Sequence, residues 1–77
     1  MDIRQRGPFY RLEGRIRGQR VRLSLRTKSR DHATSIRKRV EEVLAEGNES
    51  KAWEQLSNVL PRPAFQRLAS LTGYIEP

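Results

Sequence analysis

The chain has 77 residues, which gives one small domain or a piece of a larger protein with a limited core. It contains no cysteine and a single histidine, His32, so no disulfide and no all-protein metal site is expected to brace it, and no cofactor is implied. The formal net charge is +7 and no apolar run approaches the roughly 20 residues of a membrane span, which points to a polyanionic partner and away from a bilayer.

In chain order, the start Met1-Asp2-Ile3-Arg4 lacks the apolar stretch of a signal peptide, so a cytoplasmic protein is expected. Asp2 to Gln5 reads as a short strand ended by a turn at Arg6-Gly7-Pro8. Residues 8–26 then alternate with period two, the signature of half-buried strands. Tyr10, Leu12 and Ile16 share one parity with Gly14, a position suited to a bulge or to close approach of another backbone. Phe9, Arg11, Glu13, Arg15 and Arg17 point the other way. A hairpin turn is expected at Gly18-Gln19, after which Val21, Leu23 and Leu25 face inward and Arg20, Arg22, Ser24 and Arg26 outward.

Ser29 is a suitable N-cap for the next element, with Asp31 in the first turn, where its charge complements the helix dipole. Ala33, Ile36, Val40, Val43 and Leu44 recur at helical spacing, and Gly47-Asn48 ends the helix. This principal helix is the natural cover for the inward sheet face. Beyond it, Ser50 is placed to cap a short helix over Lys51 to Val59 with Trp53 and Leu56 on one side. Leu60-Pro61-Arg62-Pro63 interrupts, because a residue before proline is steered away from helix. Ala64 to Leu71 supports another short helix with Phe65, Leu68 and Ala69 inward, and residues 72–77 read as a tail or linker. The expected class is α+β: a three-stranded antiparallel sheet packed on one principal helix, followed by short C-terminal helices. Residues 1–47 form the sheet-plus-helix unit and 48–77 a short helical extension or linker.

The charge is segregated. Residues 1–30 hold ten Lys and Arg against two acids, whereas residues 31–46 hold three against four and residues 47–77 three against three. Nine of the ten N-terminal cations are arginine, whose fork donates paired hydrogen bonds to phosphates and base edges. A solvated basic face without a partner does not require such segregation. A sheet laid in the major groove of duplex DNA does use alternate side chains in this way. The candidate contacts are Arg11, Arg15 and Arg17 on one strand and Arg20, Arg22 and Arg26 on the next. Ser24 is small enough to admit a base edge, while Lys28 and Arg30 flank a helix N-terminus. Glu13 interrupts the stripe and is read as holding a neighbouring arginine. Aromatic stacking on single strands needs exposed rings, and only Phe9 has outward parity. No Gly-rich phosphate loop is present, the glutamates lie among opposite charges, and His32 reads as an exposed residue of a helix start, so no catalytic residue is assigned.

The stretch from Tyr10 through Lys28, together with Ser29-Arg30-Asp31-His32-Ala33 and its helix, resembles the N-terminal arm-type DNA-binding domain of tyrosine recombinases, the phage and prophage integrases. The resemblance covers roughly residues 3–47. It implies a three-stranded sheet that enters the major groove of duplex sites away from strand exchange. It also implies a cytoplasmic, nucleoid-associated protein encoded by a bacterium or phage, with recombinase or accessory DNA-bending proteins as further partners. Family members commonly carry glycine where Arg26 stands, in a Ser-Leu-Gly-Thr turn. The family's catalytic residues belong to a C-terminal domain not represented here, so this chain is expected to bind DNA and not to act as an enzyme. The rival readings are an RNA-binding or ribosome-associated module, and a protein-interaction module anchored by Trp53, Phe65 and Leu68.

Overall fold

The computed structural model describes residues 1–77. Two tight turns build its sheet. Gly7, at φ +59, precedes Pro8 and supplies the positive φ that a two-residue turn needs at its first position. Arg17 and Gly18, at φ 51 and 80, form a turn with both central residues left-handed, the pattern whose twist matches antiparallel strands. The resulting strands are β1 (Asp2–Arg6), β2 (Phe9–Ile16) and β3 (Gln19–Ser24), antiparallel in the order β1-β2-β3. The second turn therefore lies one residue earlier than the expected Gly18-Gln19, and Gln19 pairs with Ile16.

The expected alternation holds along β2 and β3. Leu12, Ile16, Val21, Leu23 and Leu25 are buried, and Ile3 and Tyr10 pack at the margin of the same face. Gly14 is a point of close approach: a Cβ there would lie 3.1 Å from Met1 Cγ and 3.4 Å from Met1 Cα. The covering helix is α1 (Arg30–Glu46). The hydroxyl of Ser29 accepts a hydrogen bond from the His32 amide at 3.2 Å, which satisfies one of the free donors of the first turn. Gly47 closes α1 at φ 82, its amide donating to the Val43 carbonyl. Ala33, Ile36, Val40 and Val43 are buried, but Leu44 is 36 % exposed, contrary to the inward position expected of it. The buried stripe steps by three, four and three residues, and Leu44 lies about 100° further round the helix from Val43.

The C-terminal residues close the other side of the core. A 3₁₀ turn (Gly47–Glu49) leads to α2 (Ala52–Val59) and then α3 (Arg62–Thr72). Ser50 joins the elements: its hydroxyl donates to Glu46 Oε1 at 2.7 Å and accepts from the Ala52 amide at 3.2 Å. Leu60 is extended, as the following Pro61 requires, Pro61 is extended too, and α3 starts at Arg62, two residues before the expected Ala64. All sixteen buried apolar residues form one cluster, so Trp53, Leu56, Phe65 and Leu68 share a core with the sheet and α1. Trp53 Nε1 donates to the Gly47 carbonyl at 3.1 Å, which satisfies the one polar atom of the ring.

Residues 72–77 do not behave as a tail. Gly73 takes the left-handed helix-ending position at φ 76, and the Tyr74 amide donates to the Ala69 carbonyl at 3.0 Å. This turn brings the Tyr74 ring flat on Trp53, with centroids 4.0 Å apart and an interplanar angle of 5°. Phe65 meets both rings edge-on. Arg62 and Glu76 then form an exposed ion pair outside the stack. The hydrogen bond from Arg62 holds the Glu76 carboxyl below the usual carboxylate range. A depressed carboxylate pKa contributes stability above its unfolded value and loses it as pH falls through the folded value. Because the pair is exposed, acidification below the usual glutamate range is expected to free only the Glu76 side chain and to leave the core folded. Near-ultraviolet circular dichroism of the Trp53–Tyr74 stack should therefore be retained there, and its loss would show that the Arg62–Glu76 pair holds the stack in place. No helix is long and apolar enough to cross a membrane.

Candidate nucleic-acid interface

The face of the sheet turned away from α1 is organised in cross-strand rungs. Arg6 pairs with Phe9, Arg4 with Arg11 and Ser24, Asp2 with Glu13 and Arg22, and Arg15 with Arg20. Two of these rungs set arginine directly opposite arginine. Side chains directly opposite on one face have Cβ atoms roughly 5 Å apart, and like charges there destabilise a sheet. The fold keeps the arrangement nonetheless. The two acids of the face each meet one member of the Arg4–Arg11 rung and leave the Arg15–Arg20 rung without a carboxylate. Glu13 Oε2 lies 2.5 Å from Arg11 Nε, as expected of a carboxylate that steadies its neighbour, and Asp2 lies 3.9 Å from Arg4. Arg15, Arg20 and Arg22 have no carboxylate partner and are exposed.

The structure places the expected contact residues as follows. Arg11, Arg15, Arg20, Arg22 and Ser24 lie together on the outer face. Arg17 does not join them. As a turn residue it leaves the strand alternation, and its Nη2 donates to the Thr72 carbonyl at 3.0 Å, tying the β2–β3 turn to the end of α3. Arg26 is also out of alternation, because β3 breaks there. The Leu25 amide donates to the Tyr10 carbonyl at 3.1 Å and the Tyr10 amide donates to the Thr27 carbonyl at 2.9 Å, so Arg26 is looped out between them at φ 52. Lys28 reaches the outer face from the following loop, its Nζ 5.7 Å from the centre of the half-exposed Phe9 ring. Arg30 is exposed at the first turn of α1.

Sequence alternation alone does not bring Arg4 and Arg6 into the interface, although β1 carries both on the outer face. The same parity rule finds them once Ile3 is paired with Leu12. Arg67 of α3 has no such signal and is brought to the β3 side by the chain reversal at Pro61.

The backbone at Arg26 is left-handed, a conformation that suits glycine. Such a conformation costs a side-chain-bearing residue about 1–2 kcal/mol, and glycine adopts it freely at a smaller entropic cost in the unfolded chain. Arg26→Gly is accordingly expected to leave stability unchanged or raise it by up to about 1 kcal/mol. A denaturant titration checks this, and a loss of stability would show that the Arg26 side chain holds the bulge.

Across three strands the backbones span about 10 Å, comparable with the roughly 12 Å width of the major groove of B-form DNA. Compared with family models, curated proteins and solved structures, the chain matches none.

Proposed function

We propose that the outer face of the sheet binds double-stranded DNA through its phosphate backbone, with the sheet seated in the major groove. The observation that carries this reading is the Arg15–Arg20 rung with Arg22 beside it, three exposed guanidiniums of one face without a carboxylate partner. Repulsion among them weakens the free fold, and a polyanion relieves it. Arg4, Arg11, Arg15, Arg20 and Arg22 contact phosphates or guanine edges, and Ser24 leaves room for a base to approach. Lys28 and Arg30 extend the contact past the end of β3. In this reading the chain is a sequence-specific module of an integrase-like site-specific recombinase, similar to the arm-type domain, and the chemistry of strand exchange lies elsewhere.

Salt dependence tests the reading. With about four to six phosphates neutralised, the logarithm of duplex affinity should fall against the logarithm of salt with a slope of about −4 to −5. A slope near zero overturns the proposal. Competition with structured RNA of equal length should leave the duplex bound. Preferential loss to RNA would instead favour an RNA-binding module.

A further inference from the structure

Between the end of β3 and the start of α3 lies a groove of about 180 Å³. Arg22, Ser24 and Arg26 line its sheet side, and Pro61, Pro63 and Arg67 its helix side. Three arginines line it and, like Arg15 and Arg20 on the sheet, none has a carboxylate partner, whereas Arg4, Arg11, Arg37 and Arg62 each face one. No carboxylate lines the groove. Its walls are held in place from both sides. Pro61 fixes φ at the corner before α3 and Pro63 at its first turn, and the two Tyr10 backbone bonds bracket the loop that presents Arg26. Unneutralised guanidiniums at one groove favour an oxyanion, because each fork donates two parallel hydrogen bonds.

We propose that this groove is a phosphate subsite that carries the duplex off the sheet and onto α3, so that the C-terminal helices take part in DNA binding. The inference rests on the reading of the sheet face given above and deepens it. A backbone phosphodiester is the occupant, because Arg22 and Ser24 belong both to the groove and to the outer face. A duplex lying on the sheet therefore passes directly over the opening. Arg67 is the contact that the sheet alone cannot supply.

The test compares duplex affinity over a range of salt for the wild-type chain, Arg67→Ala, Arg67→Lys and Lys51→Ala. Arg67 is exposed on α3, so thermal unfolding of the variants is expected to match the wild type. Arg67→Ala should lower affinity at low salt roughly tenfold and reduce the magnitude of the salt slope by about 0.9, the loss of one phosphate contact. Arg67→Lys should retain the slope, because the charge remains. Lys51→Ala, which lies away from the groove at the start of α2, should change neither quantity. An unchanged slope in Arg67→Ala overturns the subsite while leaving the sheet reading intact. A wild-type slope near zero overturns the sheet reading itself. Inorganic phosphate added alone distinguishes a free-anion site: saturable binding at Arg67 with an unchanged duplex slope in Arg67→Ala also overturns the proposal.

Discussion

Trp53→Ala is expected to lower the urea midpoint of unfolding sharply. The ring is 2 % exposed, stacks on Tyr74, meets Phe65 edge-on and donates to the Gly47 carbonyl. Truncating a buried tryptophan costs about 3–5 kcal/mol through lost burial and the cavity left behind. A domain of this length has a total stability of about 4–12 kcal/mol. The loss therefore takes most of the margin at the lower end of that range. Trp53→Phe keeps much of the apolar contact and should lose far less. Far-ultraviolet circular dichroism against urea checks both variants. A midpoint that does not move in Trp53→Ala would mean that α2 and α3 are not needed to hold the sheet. The expected outcome follows from the single core: Ala52, Trp53, Leu56, Leu60, Ala64, Phe65 and Leu68 come from the C-terminal helices and pack in the same cluster as Leu12, Val21 and Leu23.

Arg15→Ala is expected to separate folding from binding. Arg15 is exposed and pairs directly with Arg20. Removing one of two facing like charges is expected to preserve stability or raise it by roughly 0.2–1 kcal/mol. Duplex affinity at low salt should fall roughly tenfold with the loss of one charged contact, and the salt slope should become shallower by about 0.9. Calorimetric unfolding and a binding isotherm on the same preparation check the two halves. Destabilisation accompanied by unchanged affinity would show that the Arg15–Arg20 rung serves the fold, and that the outer face is a solvated surface.

Local patterns carried much of the fold from the sequence. The alternation of Leu12, Ile16, Val21, Leu23 and Leu25 with polar residues fixes which face is buried, since a one-residue slip would reverse every side chain. Ser29 and Gly47 are similarly local, because caps act within one turn of their own helix. Arg17 and Arg26 escaped that logic. Both have positive φ, so neither continues its strand: Arg17 turns toward Thr72, while Arg26 stays exposed beside Arg22 and Ser24. A two-residue turn of this type usually takes Asn or Asp at its first position, which hid the turn at Arg17. The structure gives Arg17 a different task, in its hydrogen bond to the Thr72 carbonyl.

The rest of the candidate site depends on contacts distant in sequence. Arg4 and Arg6 become part of the face only when β1 pairs in register with β2. Arg67 reaches the β3 edge only after the corner at Leu60 and Pro61 reverses the chain. The Tyr74–Trp53 stack joins positions whose sequence context reads as a tail and a short helix, and no spacing rule connects them. It forms because the left-handed Gly73 turns the chain back across α2.

The central claim, that duplex DNA sits on the outer sheet face, is tested most directly by an isotope-edited titration of the labelled chain with a short duplex. The expected result is a set of amide and guanidinium shifts at Arg4, Arg11, Arg15, Arg20, Arg22 and Ser24, with further shifts around Lys28, Arg30 and Arg67. The amides of Glu54 and Ser57 on α2 should remain in place. Shifts centred on α2 and the Trp53–Tyr74 stack, with the sheet arginines unmoved, would contradict it.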